Sequence, residues 1–192
     1  MKRIFTVILI AVLAASVAFA AFLDVAAGSN INSTQTISSM TEGFNPGNLL
    51  MGSEVRVKFF FLEAGAKMYF TFIPEASMFL SYTNLDLSAQ LELGIIRIGA
   101  GLQTDDIIWG YDSGKWLAPN FNGSSDFAQG FLASNLNWRL KLDILLGRLI
   151  IGADYTVPSS FKFGEELTDA SMLLPKNFKD GRISLSFMYH FF

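Results

Sequence analysis

The chain has 192 residues, of which 16% are charged and 51% hydrophobic, with no cysteine and a mean hydropathy of +0.38. The charged share lies well below the roughly 25% of an ordinary soluble domain, and the missing thiols exclude a disulfide framework, a thiolate metal centre, a cysteine nucleophile and a lipidated N-terminal cysteine. The net charge of -3, with basic residues scattered singly, offers no face to a phosphate backbone, so nucleic acid is not an expected partner.

Lys2 and Arg3 open the chain, an apolar run extends from Ile4 to Val17, and Ala18-Phe19-Ala20 supplies the small-x-small pattern a signal peptidase accepts. We read residues 1–20 as a signal peptide and residues 21–192 as a single domain. A lone transmembrane anchor is the other reading, disfavoured by the shortness of the run and by the lack of a basic stop-transfer segment behind it. Beyond Ala20 no stretch reaches the roughly 18 to 20 apolar residues of a membrane-crossing helix. The nearest, Ile144 to Val157, is broken by Arg148 and Asp154.

From Ala21 onward the apolar residues alternate with a period of two, the signature of strands with one apolar face. Strands are expected at Ala21–Ala27, Glu54–Phe61, Ala66–Ile73, Leu85–Leu93, Ile96–Leu102, Asn135–Asp143, Leu149–Val157 and along the C-terminal run from Arg182. In Leu85–Leu93 the alternation is complete, with Leu85, Leu87, Ala89, Leu91 and Leu93 opposite Asp86, Ser88, Gln90 and Glu92. Gly65, Gly94 and Gly147 stand where tight hairpins are expected, because glycine supplies the positive φ such turns need. The remaining connections, Gly28–Gly52, Pro74–Asn84, Gln103–Gly130 and Pro158–Gly181, are long. Four long loops at one end and three tight turns at the other are the pattern of a transmembrane β-barrel of the bacterial outer membrane.

One set of faces is apolar; the other gathers Asp24, Glu54, Asp86, Glu92, Asp143 and Asp154 with Arg56, Lys58, Lys67, Arg97, Arg139, Lys141 and Arg182. An Arg or Lys turned to lipid at the midplane costs about 2–4 kcal/mol, so this face belongs to the lumen or to water. A soluble barrel of lipocalin type, with charges outside and Leu and Phe within, remains the competing arrangement.

At the C-terminus Ile183, Leu185, Phe187, Tyr189 and Phe191 recur at every second position. This run resembles the terminal assembly signal of outer-membrane barrels, which ends on an aromatic; here Phe192 comes after Phe191, so either aromatic fits the last position. The whole mature chain is similar to the small eight-stranded barrels typified by the OmpA transmembrane domain, OmpX and OmpW. The resemblance implies an all-β, antiparallel, up-and-down barrel, outer-membrane lipid around it and the barrel-assembly machinery as a partner during biogenesis.

An interior this narrow is filled by side chains, and the near balance of acids and bases on the polar face suits internal pairing, with Gly99, Gly101 and Gly152 leaving room. The expected function is a structural or surface-interaction barrel with a charge-paired, mostly plugged lumen and long acidic outer loops. The alternatives are a narrow channel for small solutes or small hydrophobic molecules, with Phe22, Phe60 and Tyr69 facing the lumen, and a soluble exported binder. Catalysis is not expected: the only histidine, His190, stands two residues from the end, and no Ser-His-acid set can form at the outer end without it. No cofactor and no metal site are assigned. Trp109, Tyr111, Trp116 and Phe121 crowd the Gln103–Gly130 loop, where they fit an interfacial aromatic girdle, a contact with a surface protein or glycan, or a setting in which Asp105, Asp106 and Asp112 hold calcium. Met172–Pro175 is read as dipping into the outer leaflet or capping the mouth.

Overall fold

The computed structural model describes residues 23–73, 78–112, 115–117 and 127–191. The expected signal peptide, Phe22, Phe121 and Phe192 lie outside these residues, as do the side chains of Tyr111, Asp112 and Trp116. Strands run over Leu23–Thr36 (β1), Leu49–Phe59 (β2), Leu62–Ile73 (β3), Met78–Leu93 (β4), Ile96–Thr104 (β5), Ile107–Asp112 (β6), Lys115–Leu117 (β7), Asn135–Leu146 (β8), Leu149–Lys162 (β9) and Arg182–His190 (β10). Two short helices, Ile37–Glu42 (α1) and Phe127–Ala133 (α2), lie in the connections.

Every pairing is antiparallel, and the sheet closes on itself where β10 meets β1, Ile31 opposite Leu185. β5 and β6 lie along successive parts of β4, pairing with Asp86–Leu93 and Phe79–Thr83 respectively, so together they form one wall strand interrupted at Asp105 and Asp106. The wall therefore has eight strands, an up-and-down barrel, and β7 is a short hairpin on β6.

Several boundaries differ from expectation. β1 runs on to Thr36 and β2 starts at Leu49, so most of the expected Gly28–Gly52 loop is wall, and β4 likewise begins at Met78. These extensions carry Ser29, Ser53, Ser81 and Thr83 at the parity that apolar residues hold elsewhere, so the alternation fades although the strand continues. The hairpin expected at Gly65 instead turns at Phe60–Phe61, with Phe60 at φ 62°. Gly65 lies inside β3, where a Cβ would come within 2.5 Å of the Asp86 carboxylate. Gly94 and Gly147 do occupy their turns, at φ 67° and 63°.

The pleat sorts the residues with large apolar side chains outward. Val55, Val57, Met68, Phe70, Leu87, Leu91, Ile98, Leu140, Leu142, Leu185 and Phe187 all stand exposed on the outer wall, whereas the buried residues are mostly polar or charged. Phe60, one of the residues expected in the lumen, is 55% exposed in its turn. Its aromatic ring meets Phe61 edge-on at the short-turn end of the barrel. Tyr69 is in the lumen.

Candidate functional site: the charged lumen and its outer vestibule

Inward positions of successive strands fall at matching heights, which stacks the lumen in tiers. Nearest the tight turns, Arg97 bonds Asp24 at 2.8 Å and Glu92 at 3.0 Å, and Glu92 also receives Lys58 at 2.8 Å. His190 Nε2 lies 2.9 Å from Asp24 Oδ1. Ala26, Ile150 and Met188 form a small apolar plug just above.

In the middle tier the Arg56 guanidinium donates to Glu54 at 2.5 Å, to Asp143 at 3.0 Å and to Ser186 Oγ at 2.8 Å. Lys141 bonds Glu63 and lies 2.9 Å from Asp143. Gly152 provides the room: a Cβ there would collide with Ser186 Oγ and sit 2.6 Å from Asp143 Oδ1. Higher still, Arg139 bonds Asp86 and reaches Asp154 at 2.7 Å, while Lys67 donates to Asp154 at 2.7 Å and to Ser184 at 3.2 Å. Tyr69 roofs the network, donating to Asn30 Oδ1 at 2.7 Å, and Asn30 in turn donates to Glu54 at 2.7 Å.

These middle and upper groups are almost wholly sealed: Arg139, Asp143, Tyr69, Asn30 and Ser186 have 0% exposure. Isolated charges at such depth are prohibitive, whereas mutual pairing with hydrogen bonds to the remaining lone pairs makes the burial tolerable. The structure thus brings Asp24, Glu54, Arg56, Lys58, Lys67, Asp86, Glu92, Arg97, Arg139, Lys141, Asp143 and Asp154 into one tiered network. Arg182 stands apart at the outer end, 3.3 Å from Asp106 and 3.8 Å from Asp105. Glu63, expected in a turn, belongs to the network: displacing the hairpin to Phe60–Phe61 puts it on the inward parity of β3. The clue in the sequence is its spacing from Lys67, four residues on along the same face.

Above Tyr69 the lumen widens into a polar vestibule of about 170 Å³ walled by Asn32, Asn84, Gln103, Asn137 and Thr156, with Asp105, Asp106, Asp180 and Arg182 at its rim. Asn84 Nδ2 donates to Asp106 at 2.9 Å, and Asn135 Nδ2 lies 3.5 Å from Asp105. Among the described residues no group of three or more His, Asp or Glu side chains is placed to hold a metal.

The outer connections lean on the wall. Trp109 and, from α2, Phe131 pack against Ile107. Outward-facing Trp138 donates from Nε1 to Leu173 O at 2.5 Å, which holds the Ala170–Leu173 turn against the outside of the barrel, not over its mouth. Ile183, Leu185, Phe187, Tyr189 and Phe191 all point outward, each 36–50% exposed, with Tyr189 edge-on to Phe191.

No protein-family model matches the chain. No curated protein matches it either. Among solved structures, the crystal structure of Neisserial surface protein A (NspA) aligns over 88% of this chain and 94% of that one, at 10% identity and a TM-score of 0.40.

Proposed function

We infer that this is an outer-membrane barrel with a closed lumen, serving as a structural scaffold that displays its outer connections to surface partners. The observation carrying this reading is the inversion of burial: rows of Leu, Ile, Val and Phe face outward while Arg139, Asp143 and Lys67 are sealed inside. In water that arrangement would hydrate apolar surface at about 25 cal/mol per Å², and in lipid it costs nothing. A soluble binder of lipocalin type requires the opposite sorting. The exposed aromatics Phe59, Phe60, Phe61, Tyr189 and Phe191 gather at the tight-turn end, where an interfacial girdle belongs. The C-terminal aromatic run fits recognition by the assembly machinery. The channel reading meets the sealed tiers beneath the vestibule, and a catalytic reading finds His190 at the wrong end, beside Asp24.

Fractionation of cells with and without detergent tests the reading, combined with trypsin treatment of intact cells. The protein should enter solution only with detergent, and trypsin should cut at Lys176 or Lys179 while leaving the wall intact. Recovery from the periplasm without detergent would overturn it.

A further inference from the structure

The connection from β9 to β10 lies against the outside of the wall as a strap, tied down at separate points. Trp138 Nε1 donates to Leu173 O, Tyr155 Oη donates to Phe178 O, and the Lys176 amide donates to Pro158 O at 3.0 Å. Gly181 lets Tyr155 reach the strap, since a Cβ there would stand 2.3 Å from the ring. Trp138 and Val157 are register partners on the outward face, yet Val157 is only 2% exposed, and the Ala170–Leu173 turn packs on its strand. Tyr155 stands opposite Leu140, so the strap crosses the wall at the upper edge of the apolar belt.

What the strap presents to its surroundings is both apolar and basic. Leu174 and Phe178 are 60% and 62% exposed, apolar area that is unfavourable in water and not in lipid. Between Asp169 and Asp180 the chain carries Lys176 and Lys179 and no acid. Both lysines are exposed, and among the described residues neither has an ion-pair partner. Of the flanking acids, Glu165 pairs with Lys162 at 3.2 Å, Asp169 accepts from the Ser171 amide at 2.9 Å and Asp180 lines the vestibule, which among the described residues leaves Glu166 unengaged.

We propose that this strap binds the phosphate group of an anionic outer-leaflet lipid, with Lys176 and Lys179 on the headgroup and Leu174 and Phe178 against the acyl chains. A Lys ammonium brings three donors on a flexible stem that reaches headgroup level from an apolar surface. Each lysine beside an anionic bilayer surface is worth about fivefold in association. A soluble anion would leave Leu174 and Phe178 in water. The proposal rests on the membrane reading above and adds the class of lipid. The contact keeps both lysines at the membrane surface, within reach of a protease.

The test is quenching of tryptophan fluorescence by brominated lipid, with the full mature chain refolded into phosphatidylcholine vesicles and its folding verified by heat-dependent gel migration. Trp109→Phe with Trp116→Phe leaves Trp138, which holds the strap, as the sole reporter. Brominated phosphatidylglycerol at low mole fraction should quench it with a relative binding constant at least about fivefold above that of brominated phosphatidylcholine. The same preference, diluted by the other tryptophans, should appear in the unsubstituted chain. Lys176→Gln with Lys179→Gln should bring the ratio close to unity, Arg148→Gln at the tight-turn end should leave it unchanged, and salt at about 1 M should lower it. Equal quenching by the two lipids in the inserted barrel, or a preference that survives the paired Gln substitutions or the salt, would overturn this proposal alone. A folded barrel that neither lipid quenches would overturn the membrane reading and this proposal with it.

Discussion

Replacing Arg139 with methionine isolates the energetics of the lumen, because the structure distinguishes sharply between its two main partners. Asp154 would retain Lys67 at 2.7 Å and Arg56 at 3.8 Å. Asp86 would retain no cation within 4.0 Å, since among the described residues Arg139 is its only ion-pair partner. The variant therefore buries one uncompensated carboxylate, a change worth about 3–5 kcal/mol. At about 1.4 kcal/mol per tenfold, that is two to three and a half powers of ten in the unfolding equilibrium. Adding Asp86→Asn removes the orphan charge and should recover most of the loss, leaving a double variant within about 2 kcal/mol of the parent and a coupling energy at the upper end of the usual range for contacting residues. Reversible urea unfolding in phospholipid vesicles, monitored by tryptophan fluorescence, measures all the corners of the cycle. A single-variant loss under about 1 kcal/mol, or a double variant less stable than Arg139→Met alone, would refute the reasoning.

Other positions test other parts of the wall. Leu140→Arg, on the outer wall within the apolar belt, should cost about 2–4 kcal/mol in vesicles, whereas Ser53→Arg, near the polar extension of β2, should cost far less in the same assay. Gly152→Ala should destabilise by about 1–3 kcal/mol through overpacking against Ser186 and Asp143, read as a shifted urea midpoint at unchanged slope. Tyr69→Phe leaves Asn30 Oδ1 without its donor and should cost about 1–3 kcal/mol, with barrel assembly on gels unaffected.

Much of the wall is legible in the sequence because alternation survives wherever the outward face is apolar and the inward face is charged. Leu85–Leu93 and Asn135–Asp143 declare both faces residue by residue, and with them the inward direction of Asp86, Glu92, Arg139, Lys141 and Asp143. Legibility fails where the physics changes along the strand. Ser29, Ser53, Ser81 and Thr83 take the parity of the apolar residues beyond the apolar belt, so β1, β2 and β4 continue without an apolar signal. Phe60 adopts the positive φ usually reserved for glycine, and Gly65 makes room for Asp86 instead, which moves the β2–β3 turn and conceals Glu63. The vestibule is illegible for a different reason. Its acids, Asp105 and Asp106, read as loop charges, and only the closure of the barrel brings them beside Arg182 and the inward amides of Gln103 and Asn137.

The central claim is that paired charges close the lumen, and conductance tests it most directly. Mature protein inserted into a planar lipid bilayer, with folding verified by heat-dependent gel migration of the same preparation, should give a silent membrane across the usual range of applied voltage. Steady, discrete conductance steps from the folded barrel would mean that ions pass Arg139, Asp143 and Tyr69, and would contradict the account.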